Sequence, residues 1–125
     1  MRTLIIIQVL LFSLSLSISS YAADYNKGLI AAQNGDFATA LKEWKPLAEQ
    51  GDASAQGNLG VMYAFGNGVI KDYVYAHMWG NIASMNGNDL GALLRDDFAE
   101  KMTSSQIEEA QRLARECVKK NYKGC

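Results

Sequence analysis

The stretch Ala55–Gly87, AQGNLGVMYAFGNGVIKDYVYAHMWGNIASMNG, decides the fold. It reads as two helices joined by a glycine turn. Leu59 and Tyr63 stand four residues apart and share one helical face. Gly60 lies beside Leu59 and leaves room for a second backbone to approach. Gly66-Asn67-Gly68 is the turn, because glycine takes positive φ without steric cost. Gly66 ends the first helix and Gly68 reverses the chain. Asp72 is then the N-cap of the second helix, its carboxylate accepting from free N–H groups of the first turn. Ala76, Trp79 and Ala83 form one stripe, and Gly87 closes it. A lone hairpin of this kind cannot bury its own apolar faces, so neighbours must stack on it.

The same pattern occurs upstream. Gly35-Asp36 is a stop followed by an N-cap, after a short helix predicted over Tyr25–Asn34. Phe37, Ala40, Leu41, Trp44, Leu47 and Ala48 then fall at helical spacing up to Gly51. Asp36 to Asp72 is 36 residues, and Trp44 to Trp79 is 35. A sustained period near that length marks an array of helical repeats. Pro46 cannot donate to the carbonyl four residues back, so a kink is predicted near Trp44. Downstream, Leu90, Leu93, Leu94, Phe98 and Met102 make one stripe. Thr103-Ser-Ser-Gln106 is a capping box, with Thr103 as N-cap. Ile107, Ala110, Leu113, Ala114, Cys117 and Val118 make the last stripe. The basic residues beyond Arg112 read as a solvated face that complements the helix dipole. The architecture predicted is all-α: an α-α superhelix of about three antiparallel pairs, at Tyr25–Gln50, Ala53–Asn86 and Asp89–Asn121.

Ala55-Gln56, Leu59-Gly60, Met62-Tyr63, Gly66, Gly68-Val69, Asp72, Ala76, Trp79, Ala83 and Gly87 together resemble the Sel1-like repeat, a relative of the tetratricopeptide repeat. The resemblance implies a right-handed solenoid of helical hairpins. One position departs from it. Gly80 stands where such repeats have an aromatic after the Trp, and glycine inside a helix costs about 1 kcal/mol against Ala. The second helix is therefore expected to be looser than the family norm. Cys117 and Cys125 are the only cysteines. An even count in an exported chain suggests one disulfide. Their spacing, with Gly124 before the second, resembles the disulfide of cysteine-rich Sel1-like repeat proteins. A redox pair would need a tighter Cys-x-x-Cys spacing.

Residues 1–22 read as a signal peptide. Arg2 gives the positive start, Leu4–Phe12 the apolar run, and Ser20-Tyr21-Ala22 a small-x-small cleavage site. A domain of residues 23–125 would remain. The leader carries one charge, Arg2, so the remainder holds 11 basic and 13 acidic side chains, a net charge of −2. A nucleic-acid binder would show a basic excess. No second apolar stretch is long enough to span a bilayer, so a periplasmic or secreted monomer is expected.

Catalytic patterns are missing: no His-Glu-x-x-His, no Gly-x-Ser-x-Gly, no phosphate-binding loop and, after the leader, no Ser-x-x-Lys. His77 is the single histidine, expected at the surface or in a groove. Asp96 and Asp97 are neighbours on a helix and point about 100° apart, so they form no acid–base pair. No cofactor and no metal is expected. Two functions of different class follow. One is a non-catalytic scaffold that binds a protein, peptide or cell-envelope ligand in its groove. The other is a hydrolase of β-lactams or peptidoglycan, a label carried by some cysteine-rich relatives. For the scaffold, the face of the central first helix that turns away from Leu59 and Tyr63 is the candidate groove. Its residues are Asn58, Met62 and Phe65.

Overall fold

The computed structural model describes residues 22–125, so the expected leader, but for Ala22, lies outside the described residues. Each helix starts on a side chain that accepts from a backbone N–H three residues on. These N-caps are Asp24, Asp36, Asp52, Asp72, Asn88 and Thr103. The helices they open are α1 (Tyr25–Gln33), α2 (Phe37–Glu49), α3 (Ala53–Phe65), α4 (Tyr73–Met85), α5 (Asp89–Ala99) and α6 (Ser104–Lys119). Thr103 and Gln106 complete the capping box reciprocally. Among the described residues there is no strand. Replacing one such cap by Ala costs about 1 kcal/mol, so six of them fix where the chain turns.

The hairpin α3–α4 is the centre of the molecule. Gly66 ends α3 in the left-handed region at φ 68°, and Gly68 follows at φ 73°. The turn is tied by the Asp72 N–H donating to the Tyr63 carbonyl at 2.9 Å. Leu59 and Trp79 are buried between the helices, and Tyr63 is half-buried, stacked on Tyr75 at 5.2 Å. Trp44 brings α1–α2 into the same core with Ala40, Ala48 and Ala55. Its ring fills the space above Gly28, where an added Cβ would stand 2.5 Å from Nε1. That indole N–H donates to the Tyr25 carbonyl at 3.1 Å. α2 runs through Pro46 to Glu49.

Gly80, which weakens its helix by propensity, has a packing role. A Cβ on it would meet the Gly91 carbonyl at 3.0 Å, and a Cβ on Gly91 would meet the Gly80 carbonyl at 2.6 Å. Two side-chain-free residues thus let α4 and α5 cross backbone to backbone. Close approach of α5 takes the place of the missing aromatic. On α5, Leu94 and Phe98 are buried, while Leu90 and Leu93 of the predicted stripe face outward.

α5 and α6 both pack mainly on α4 rather than on each other. α6 carries Ala114 and Cys117 into the core of the first two pairs, beside Met78 and Ile82. The chain then turns through Asn121 and Tyr122, both at positive φ. Cys125 returns to Cys117, with Sγ–Sγ 2.10 Å and Cα–Cα 5.7 Å. A ring this small stabilises by about 2–3 kcal/mol through loop entropy. It also fixes Tyr122 against Gly51 and Asn86, while Lys123 Nζ donates to the Glu49 carbonyl at 2.9 Å. Gln56, fully buried, links the same joint. Its amide donates to the Ala48 carbonyl at 3.0 Å and accepts from Asn86 at 2.8 Å.

Candidate functional site

The three predicted groove residues have different fates. Met62 is 2% exposed and belongs to the core, with its methyl under Gly68. Asn58 is half-buried, and its amide donates to the Tyr25 hydroxyl at 3.0 Å, which ties α3 to α1. Phe65 is 64% exposed at the end of α3. It does not stand alone. Its ring meets Phe98 of α5 edge-on, with centroids 6.2 Å apart and planes at 83°. Tyr73, at the start of α4, stacks on Phe98 at 5.4 Å. Lys71 Nζ lies 5.0 Å from the Tyr73 ring centre, and Lys101 Nζ lies 5.6 Å from that of Phe98. The Lys71 ammonium beside the Tyr73 hydroxyl lowers that phenol below its usual range. The Gly66–Lys71 turn also holds Ile70 outward at 90% exposure.

The result is a ledge of two rings, Phe65 and Tyr73, laid on the buried Phe98, with the Lys71 and Lys101 ammonium groups beside them and an aliphatic tip at one end. Phe65 and the half-buried Tyr73 offer contact area with little side-chain entropy to lose, while Phe98, 6% exposed, is the buried floor they rest on. The lysines add attraction for anions at the edge of the apolar area. Only Phe65 was visible in sequence as a member of this site. Phe98 reads as core, and nothing in the spacing of Lys71, Tyr73 and Lys101 shows that α5 brings them together.

His77 is not at the surface or in a groove. It is 3% exposed, packed on the α5 side of α4 near Arg95 and Asp96, and its Nδ1 has no hydrogen-bond partner among the described residues. Burial pulls its pKa below the usual value, the Arg95 guanidinium adds to that, and Asp96 opposes it. Protonation therefore favours the unfolded chain. His77 contributes in full above its unfolded pKa, near 6.5, and the contribution is lost as pH falls toward the folded value. Urea midpoints are expected to drop between about pH 7 and 5.5 in the native chain. His77→Gln should flatten that part of the profile. An unchanged slope in the variant would mean that the imidazole is already charged in the fold.

Among the described residues, no group of His, Cys, Asp and Glu is arranged to hold a metal. No helix there is long and apolar enough to cross a membrane. Asp96 and Asp97 are exposed, and Asp96 is paired with Arg95 at 2.9 Å.

No protein-family model matches the chain, and no curated protein matches it. Among solved structures, it is similar to a protective antigen present in uropathogenic Escherichia coli strains, whose crystal structure displays an SLR (Sel1-like repeat) fold. The two share 30% identity over 78% of this chain, with a TM-score of 0.68. The chain spans 23% of that antigen's length. With the 35-residue period, the glycine turn and the stacked hairpins already in place, this likeness shows that the chain has a Sel1-like repeat fold.

Proposed function

We propose that the chain is an exported, non-catalytic helical-repeat scaffold that holds a protein, peptide or cell-envelope ligand on the outer side of α3 and α5. The observation that carries this reading is the ledge of Phe65 and Tyr73, seated on the buried Phe98 and flanked by Lys71 and Lys101. Its chemistry suits a segment that presents an aromatic or aliphatic side chain next to a carboxylate. Asn58 extends the same helix face toward α1, and Met62 supports it from the core. Export is supported by the Cys117–Cys125 disulfide, since such bonds persist in oxidising compartments. A similar structure being a protective antigen agrees with a protein met outside the cytoplasm. The alternative, a hydrolase of β-lactams or peptidoglycan, would have to work with its one imidazole buried at the α4–α5 crossing.

Crosslinked pull-down from the cell envelope tests the proposal. Asn58→Arg with Phe65→Ala is expected to abolish capture while leaving helical circular dichroism intact. The lost hydrogen bond to Tyr25 should cost about 1 kcal/mol of stability. Undiminished capture by the folded double variant would remove this face as the binding site. Turnover of nitrocefin by the purified protein, lost in His77→Ala, would instead favour the hydrolase.

A further inference from the structure

Glu43 is a carboxylate in a place that does not tolerate one easily. It is 0% exposed, on the buried side of α2 next to Trp44. Oε2 accepts from the backbone N–H of Asp24 at 2.9 Å. Among the described residues, Oε1 finds no hydrogen-bond donor. Lys27 Nζ stands 3.5 Å from Oε1 as an ion-pair contact, with more than half of the Lys27 side chain in solvent. A buried carboxylate costs several kcal/mol unless its lone pairs are met by donors and its charge by a cation. One bond and one long contact leave that requirement half met.

The residue that touches Glu43 shows what completes it. Asp24 is one residue beyond Ala23, and Ala23 is the first residue after the expected cut. Adjacent backbone nitrogens are separated by three bonds of about 1.3–1.5 Å, so they lie about 3 Å apart. The Ala23 nitrogen is therefore about 3 Å from the Asp24 nitrogen that touches the Glu43 carboxylate. In the uncut chain it is a neutral amide with a single N–H. After cleavage behind Ala22 it is an ammonium with three. We propose that Glu43 is a built-in binding site for the chain's own α-ammonium, filled only when the leader is removed. This rests on the export reading, with the cut at Ala22. Processing then completes the α1–α2 pair: the new terminus supplies the missing donor and the opposing charge, and α1 is pinned to α2 at its first turn.

The test uses the full precursor, exported from a bacterial host, beside the same precursor with Gly-Ser inserted between Ala22 and Ala23. Intact mass fixes the first residue of each product. The chain beginning at Ala23 should melt at least about 5 °C above the extended one. Its α-amine should react about tenfold more slowly with an acylating reagent. In Glu43→Gln versions of both precursors, the two differences should vanish together. Equal melting and equal labelling of the two products would overturn the proposal while leaving export intact. Differences that persist in the Glu43→Gln pair would also overturn it. A native product that starts at any residue other than Ala23 would overturn both the proposal and the cleavage reading. If the Glu43→Gln chains do not fold, the labelling ratio of the two native-sequence products decides.

Discussion

Trp79→Ala is expected to lower the unfolding free energy by about 3–5 kcal/mol, close to the whole stability of many domains this small. Trp79 is the large member of the α4 stripe and is buried between α3 and α4 with Leu59. The two helices approach closely here. A Cβ on Gly60 would meet the Ala76 carbonyl at 3.3 Å and the Trp79 Cβ at 3.7 Å. Helices held at that distance by the rest of the core cannot collapse into the space an indole leaves. The cavity therefore stays, and its cost adds to the lost transfer energy. Urea denaturation of the disulfide-bonded protein measures this directly. A loss under about 1 kcal/mol would mean that the central hairpin can repack, and that the core is far softer than its burial implies.

Gly91→Ala is the second large effect, from a single methyl group. Its Cβ would stand 2.6 Å from the Gly80 carbonyl, 2.7 Å from the Ala83 Cβ and 2.8 Å from the Ser84 nitrogen. Two of those three atoms are backbone, so no rotamer change relieves the clash. Alanine favours the helix by about 1 kcal/mol over glycine, while overpacking costs about 1–3 kcal/mol or more. Because two of the three clashing atoms are backbone, the cost falls at the upper end of that range, and a net loss of up to about 2 kcal/mol is expected, with α5 displaced from α4. Leu93→Ala, on the exposed side of the same helix, should change stability by about 0.5 kcal/mol or less. If Gly91→Ala were as mild as Leu93→Ala, α4 and α5 would not cross backbone to backbone.

Much of the fold could be read from the chain because its punctuation is local. Asp36, Asp72 and Thr103 cap helices by hydrogen bonds that span three residues. Gly66 and Gly68 turn the chain with their own φ angles. The 35-residue period then says that the hairpins stack. What could not be read depends on which surfaces meet. Gly80 looks like a weakness until Gly91 is opposite it. His77 looks exposed on the α4 sequence alone, and it is buried because that glycine crossing draws α5 down over it. Glu43 sits one position before Trp44, where a helical wheel cannot say whether a carboxylate faces water or the Asp24 N–H. The candidate site divides the same way. Phe65 stands off the buried stripe and is legible. Its partners Phe98 and Tyr73 come from two other helices, and Met62 could not be told from a groove residue without the Gly66–Lys71 turn above it.

Arrays of stacked hairpins ordinarily unfold piecemeal, because each unit feels only its neighbours. The return of the C-terminal turn changes that arithmetic here. Through Tyr122 at Gly51 and Lys123 at the Glu49 carbonyl, the last residues of the chain hold the connection between the first and second pairs. The contact from Lys123 to Glu49 spans 74 residues. The stack is thereby cross-tied at its α2–α3 joint by the segment that follows α6, so that segment cannot come away without releasing that joint. Melting should be a single cooperative transition rather than a ladder of steps. Reducing the Cys117–Cys125 bond should be felt by amide protons of α2 and α3 as strongly as by those of α6.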